Sequence, residues 1–215
     1  MYVPADFAAG DLSQIATFVE QAGAADLVTF DGAGLAASLL PVSWDRTGGG
    51  HGRLLGHLAL ANPQWSTAQA DVPALAIVGG PQAYVSPSWY LSTSEHGRTV
   101  PTWNYTSVHF TGPVTFHRDA GWLRDIVTRL TEQYEGHRDR RWRIEDAPAA
   151  YIEGQLRGIV GVEMLVTRIE AKDKLSQNRS PADRAAVVTG LRGTGSPGAG
   201  EIADLMRARD ADPVS

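Results

Sequence analysis

The sequence predicts an α+β fold, a small antiparallel β-barrel with helices before and after it, and three observations carry the prediction. Six or more short strand-like runs, separated by hairpin and loop signals, lie between Ala25 and His117. Segments of helical period flank them on both sides. No G-x-G-x-x-G follows the first strand and no G-x-x-x-x-G-K-[ST] occurs, which disfavours dinucleotide and P-loop chemistry on a parallel sheet.

Each element has its own signal. From Asp11 to Ala24 the apolar residues Leu12, Ile15, Phe18, Val19 and Ala22 fall on one helical face, and Asp11 with Gln14 resembles a capping box. The period then changes to a strand at Ala25–Phe30, a turn signal at Asp31-Gly32 and a return strand at Leu35–Trp44. Gly48-Gly49-Gly50 reads as a flexible loop, and Arg53–Ala61 as a third strand closed by Asn62-Pro63. Two extended runs, Ala74–Val78 and Ala83–Tyr90, flank Gly79-Gly80-Pro81, and Leu91–Val100 reads as a loop. Thr102–His117 is a bent strand or strand pair around Gly112-Pro113. Asp119 starts a helix whose stripe is Trp122, Leu123, Ile126, Val127, Leu130 and Tyr134. A shorter helix opens at Asp146 with Pro148 in its first turn, and Ile159–Ile169 is extended. Ser180-Pro181-Ala182-Asp183 caps a helix ending near Gly190–Gly193, and a Gly/Ser/Pro linker leads to a last helix at Glu201–Arg209. The expected organisation is a barrel domain over 1–175 and a helical extension over 176–215.

Composition narrows the function classes. The 215 residues are 43% hydrophobic and 20% charged, a globular balance. The absence of cysteine excludes disulfides, thiolate nucleophiles and Cys-ligated metals, and it suits a reducing compartment. The start of the chain has no basic or apolar leader pattern, and no apolar run approaches the ~18 residues of a membrane helix, so a cytoplasmic location without membrane contact is expected. The net charge of −5 gives weak support to DNA as a partner. One basic cluster, Arg138, Arg140, Arg141 and Arg143, reads as a solvated loop.

Four segments look too specific for barrel filler. Gly56–Trp65 places His57 in an apolar strand, where an imidazole must find a partner or pay for its burial, and puts Asn62 at a turn. Gly80–Tyr90 gathers Ser86, Ser88, Tyr84, Trp89 and Tyr90 around Pro87, hydroxyl donors beside aromatic faces that can flank a flat ring. In Val100–Tyr105, Trp103 and Asn104 point to opposite sides of a strand, one to stack and one to hydrogen-bond. Of the 19 Lys and Arg residues only Lys172 and Lys174 are lysines, and both fall in Ala171–Arg179 with Gln177 and Asn178, where a point charge suits a phosphate or an anionic flavin locus. The six histidines show no compact metal-ligand spacing, and neither G-x-S-x-G nor H-E-x-x-H occurs.

These segments, in order, resemble the PaiB-like family of FMN-binding negative transcriptional regulators. Met1-Tyr2, Pro4 and Phe7 match its opening; Gly56-His57 through Trp65, Ala83 through Tyr90, Val100 through Tyr105, Val108-His109 and Lys174 through Asn178 match its later motifs. The likeness runs to about Leu191. Asp6, Leu60 and Thr93 depart from the pattern, each removing a donor or a positive charge. The resemblance implies a split barrel of the pyridoxamine-phosphate-oxidase type that forms a homodimer with cofactor sites across its interface. It implies FMN contact for His57, Asn62, Ser86, Ser88, Trp89, Tyr90, Trp103 and Asn104, joined by Lys174, Gln177 and Asn178.

The function expected is that of an FMN-binding regulator. Two alternatives are an FMN-dependent oxidoreductase and a haem b enzyme of the piperazate-synthase or haem-degrading type, in which His57 would be the axial ligand. No catalytic residue is nominated. His57, Tyr90, Tyr105 and His109 are the groups available to move a proton.

Overall fold

The computed structural model describes residues 1–47 and 50–211. Gly48 and Gly49 of the expected glycine loop, and the last four residues of the expected helical extension, lie outside the described residues. The strands hydrogen-bond in the order β6-β7-β3-β2-β1-β4-β5-β8, and every pairing described is antiparallel. With helices before, between and after the strands, the α+β split-barrel class stands. The chain divides into two compact units, and β4 and β5 run covalently through both.

The larger unit takes in Ala16–Val78 and His109–Ile169. It holds β1 (Ala24–Phe30), β2 (Leu35–Asp45), β3 (Arg53–Ala59), the start of β4 (Ala74–Val85), the end of β5 (Thr102–Gly112), β6 (Val114–His117) and β7 (Ile159–Leu165). Its helices are most of α1 (Leu12–Ala22), the single turn α2 (Gln64–Thr67), α4 (Ala120–Glu135) and α5 (Ala149–Leu156). The β1–β2 loop is set by Asp31, whose Oδ1 accepts from the Ala33 and Gly34 amides at 2.8 and 2.7 Å. That fixes the register from Phe30↔Leu35 to Ala24↔Pro41. Alternation then sends Leu27, Leu40, Val42, Leu54, Leu58, Val160 and Met164 into one core. Buried Gln64 ties the hairpin down: its Nε2 donates to Leu27 O, Thr29 Oγ1 and Ala36 O at 2.9, 3.1 and 3.2 Å.

On the other face of β2, β3 and β7 lies α4. Asp119 caps it, accepting from Trp122 N at 2.9 Å. Trp122 occupies the space above Gly161, where a Cβ would meet the indole at 2.0 Å, so only glycine fits there. The same indole stacks on His117, centroids 4.2 Å apart. Charges line the rest of this layer. Asp45 Oδ2 meets Arg53 at 3.2 Å and Arg129 of α4 at 3.3 Å, while Arg53 also reaches Glu163 Oε1 at 3.2 Å and Glu163 Oε2 lies 2.7 Å from His117 Nε2.

The smaller unit takes in Met1–Ile15, Gly79–Val108 and Glu170–Ser215. It contains the rest of β4 and β5, most of β8 (Arg168–Lys174), the short α3 (Leu91–His96), α6 (Pro181–Gly193) and α7 (Pro197–Ala211). The two C-terminal helices share a core with the strands: Val187, Leu191, Ile202 and Met206 pack with Ala83, Val85, Tyr90 and Leu175. Ser180 caps α6 through Asp183 N at 3.1 Å, and the Asp183 carboxylate takes Ser92 N and Oγ at 3.1 and 2.8 Å.

Several boundaries differ from the sequence reading, each for a local reason. Gly79-Gly80-Pro81 does not divide two runs; β4 is continuous from Ala74 to Val85, because ladder pairing outweighs the weak strand preference of these residues. Leu91–His96 is helical rather than loop, closed by Gly97 in the left-handed region at φ 65°. The third strand stops at Ala59. Ile159–Ile169 is not one run but β7 and the start of β8. Pro148 stands just before α5, at its cap, rather than in its first turn. The last helix begins at Pro197, four residues earlier than the polar linker suggested, since proline suits a first helical turn and Ala199 gains burial there.

Asp45 links this packing to pH. Its carboxyl is held down to about 2, first by the Thr47 hydroxyl and amide and then by Arg129. Its ordinary value is 3.8, so its contribution is complete above that value and is lost as pH falls toward 2. Denaturant melts of wild type and Asp45→Asn should therefore differ by about 2 kcal/mol more at pH 5 than at pH 2. A gap that stays constant across that range would remove Asp45 from the account.

Candidate functional site

The candidate residues fall in both units. In the smaller unit, β5 does what alternation requires. Trp103 is 52% exposed and its neighbour Asn104 is fully buried. Trp103 meets Tyr84 of β4, itself 46% exposed, edge to face with centroids 6.1 Å apart. Asn104 turns inward, where its Nδ2 donates to Ser176 Oγ at 3.0 Å and the Ser176 hydroxyl donates back to Asn104 Oδ1 at 3.2 Å.

That inward bond fixes the turn after β8. Ser176 sits at φ 63°, a left-handed conformation that costs a non-glycine residue about 1 kcal/mol or more. The Gln177 side chain closes the turn, accepting from Leu175 N at 2.7 Å and donating to Asp173 O at 2.5 Å. Asn178 is exposed. Lys174 donates to Thr102 Oγ1 at 2.6 Å. Burial pushes its ammonium below the ordinary lysine value; Tyr105 acts the other way and Lys172 adds a further lowering. Lys172 is buried among the rings of Tyr2, Phe7 and Tyr105, at 5.8, 5.9 and 5.3 Å, and donates to Tyr2 O.

The Ser86–Tyr90 segment splits in two. Ser86 and Ser88 face each other, Oγ to Oγ at 2.8 Å, at the start of a single 3-10 turn. Trp89 and Tyr90 turn inward. The Trp89 indole lies against Gly190 of α6, where a Cβ would meet it at 2.3 Å. Tyr90 is buried with Arg179 stacked 4.7 Å from its ring, and its hydroxyl finds no partner among the described residues. Buried Thr106 Oγ1 is likewise unpaired.

In the larger unit, Asn62 is a turn residue. Its Nδ2 donates to Ser38 Oγ at 2.8 Å and its Oδ1 accepts from Gln64 N at 3.0 Å. His57 lies opposite Gly161 on the strand ladder, and His117 lies opposite Gly161 from the other side. His57 Nδ1 is buried without a partner, and burial lowers the imidazole's pKa below 6.5. Burial therefore favours the neutral ring, with Nδ1 enclosed.

The structure thus gathers Ser86 with Ser88, Trp103 with Tyr84, Lys174 with Thr102, and Asn104 with Ser176. Sequence reasoning passed over Tyr84 as a partner of Trp103 and Ser176 as the residue Asn104 holds, although both stand inside the motifs it quoted. Gln64 gave no signal beyond its place after Asn62-Pro63. Among the described residues no group of acidic and histidine side chains is arranged to hold a metal, and no helix is long and apolar enough to cross a membrane. The donor set fits a flavin mononucleotide: two hydroxyls and an ammonium suit a phosphate, and an exposed indole suits a flat ring.

A family model described as "Putative FMN-binding domain" matches residues 1–168. Among curated proteins the chain is 35% identical over 207 residues to "Protease synthase and sporulation protein PAI 2" of Bacillus subtilis, covering 96% of each. It is also 30% identical over 186 residues to an uncharacterized protein of Emericella nidulans, covering 74% of each. Among solved structures, a conserved hypothetical protein of Mycobacterium tuberculosis aligns with TM-score 0.59 at 14% identity, over 84% of this chain and 94% of that one. The FAD- and haem-binding protein of Mycobacterium smegmatis aligns with TM-score 0.56 at 15% identity, over 83% and 78%. These two structures share the fold.

A neutral His57 has a direct readout. As pH falls below about 6.5 the unfolded chain takes up a proton before the folded one, so His57's contribution to stability is complete above that value and declines below it. Nitrogen-15 shifts of the imidazole should place its half-protonation point below pH 6.5. A ring already half protonated at pH 6.5 would mean that water reaches Nδ1.

Proposed function

Because the chain belongs to the PaiB-like FMN-binding family, we propose that it binds FMN through its smaller unit and acts as a homodimeric regulatory protein. The observation that carries the FMN reading is that the smaller unit offers a hydroxyl pair, Ser86 with Ser88, a lysine on Thr102, Lys174, and an exposed indole, Trp103. Ser86, Ser88 and Lys174 would hold the phosphate, and Trp103 with Tyr84 would lie against the ring. Asn178 is free to add a contact. Asn104, Gln177, Trp89 and Tyr90 shape this surface from within, since their side chains are engaged with the protein. Asn62 and His57 lie in the larger unit, outside this set. When bound, FMN supplies a redox-active ring whose two states differ in charge and hydrogen bonding, which gives a regulator something to sense.

The homodimer has its own support in the larger unit. The outward face of the β1–β2 hairpin pairs Phe30 with Leu35, Val28 with Ala37 and Asp26 with Leu39, and Leu75 of β4 continues it beside Val28. Leu35 and Leu39 are 77% and 70% exposed. Exposed leucines gathered on one sheet face form a patch of the kind that marks an interaction surface. An apolar face is also complementary to its own copy, as a two-fold interface requires. The regulatory part rests on the Bacillus subtilis relative, whose name refers to protease synthase and sporulation rather than to a substrate.

Absorption spectra taken after separate additions of FMN and haemin test the cofactor. Flavin bands that co-migrate with the protein, with Trp fluorescence quenched and the quenching reduced in Trp103→Ala, are expected. A Soret band lost in His57→Ala would replace FMN by haem. Light scattering tests the assembly: wild type should run at twice the chain mass and Leu39→Glu at the single mass, with unchanged circular dichroism. A monomeric wild type would end the dimer reading.

A further inference from the structure

We propose that the larger unit carries a second ligand site, distinct from the flavin surface, which takes a small organic anion with an apolar body: a phosphate ester or a carboxylate. The site is a cleft of about 700 Å³ at the start of α4 and the end of α5. That volume lies within the range of small-molecule pockets. Arg118, Arg124 and Arg157 line it, and Glu153 is the one carboxylate among its lining residues. Its floor is apolar, formed by Leu123, Leu156 and Ile159. None of these residues belongs to the proposed flavin set, so the inference goes beyond that reading.

Three features point to an anion. Among the described residues no carboxylate holds any of the three guanidiniums in an ion pair, although elsewhere in this unit Arg53 and Arg129 are both so held. Arg118 lies over the Trp65 ring, 5.7 Å away, a contact that favours its charged form and does not neutralise it. The opening turn of α4 also lines the cleft, and its amide dipoles add positive potential beyond the Asp119 cap. Guanidinium forks match the oxygens of phosphate and carboxylate in pairs. The lining specifies the remainder of the ligand: Ile159, half-buried and packed against the core of Leu123 and Leu156, leaves an apolar surface that an inorganic ion would not cover.

Isothermal titration of the full chain with phenyl phosphate, benzoate and inorganic phosphate tests this, with FMN titrated into the same samples. One saturable site is expected for at least one of the two aryl anions, with inorganic phosphate roughly tenfold weaker for want of the apolar contact. Which aryl anion binds more tightly separates the phosphate source from the carboxylate source. Arg124→Gln with Arg157→Gln should weaken the aryl anion by about tenfold or more and leave FMN binding and circular dichroism unchanged. No saturable binding of either aryl anion would overturn the proposal, as would equal binding by the double variant. One-for-one displacement of the aryl anion by FMN would overturn it too, by making the cleft part of the flavin site. If the aryl anion binds and FMN does not, the flavin reading falls and this site stands.

Discussion

The reciprocal hydrogen bond between Asn104 and Ser176 is the constraint on which the smaller unit depends. Asn104 is buried completely, and leaving such an amide unpaired costs about 1–3 kcal/mol. The turn therefore cannot relax out of its left-handed conformation without stranding a polar group inside the core. Everything on either side inherits that geometry. Lys174 is delivered to Thr102, Gln177 closes back on Asp173, and Asn178 is turned to solvent. On the strand itself, the inward Asn104 obliges Trp103 to point outward. One buried amide thus positions both the ring and the charge of the candidate site.

The larger unit resolves a different problem, the disposal of charge between a sheet and a helix. Asp45, Arg53, Glu163 and Arg129 lie in one layer and each is paired there. His57 occupies the same face of β3 as Arg53, two residue pairs along, but no carboxylate is given to it. Paired groups keep their charge when half-buried, and an isolated imidazole gives it up. The glycine at 161 is the geometric condition for both outcomes, because it admits the Trp122 ring between the two histidines on the neighbouring strands.

What was legible in the sequence follows from how local each signal is. The Asp119 and Ser180 caps act within one turn, and both helices begin where those residues place them. The β1–β2 hairpin was legible because Asp31 builds its own loop. Strand continuity through Gly79-Gly80-Pro81 was not, because it is decided by partners distant in the chain. The inward turn of Trp89 was hidden for the same reason: the glycine it needs is Gly190, on a helix a hundred residues later. The motif residues were visible as a set, but a motif does not say which members face solvent. Burial divides them, leaving Trp103, Ser88 and Asn178 exposed and Asn104 and Tyr90 inside.

The treatment of the two lysines has a practical consequence for chemical labelling. Lys172 is enclosed by three rings and hydrogen-bonded, whereas Lys174 is only partly covered and its ammonium is lowered. Among side chains, an amine-directed reagent such as an isothiocyanate therefore meets one reactive position, in a chain whose other basic residues are arginines that it does not touch. The molecule comes with a native side-chain handle inside the proposed cofactor surface, so the extent of its labelling reports on whether that surface is covered, without any engineered cysteine.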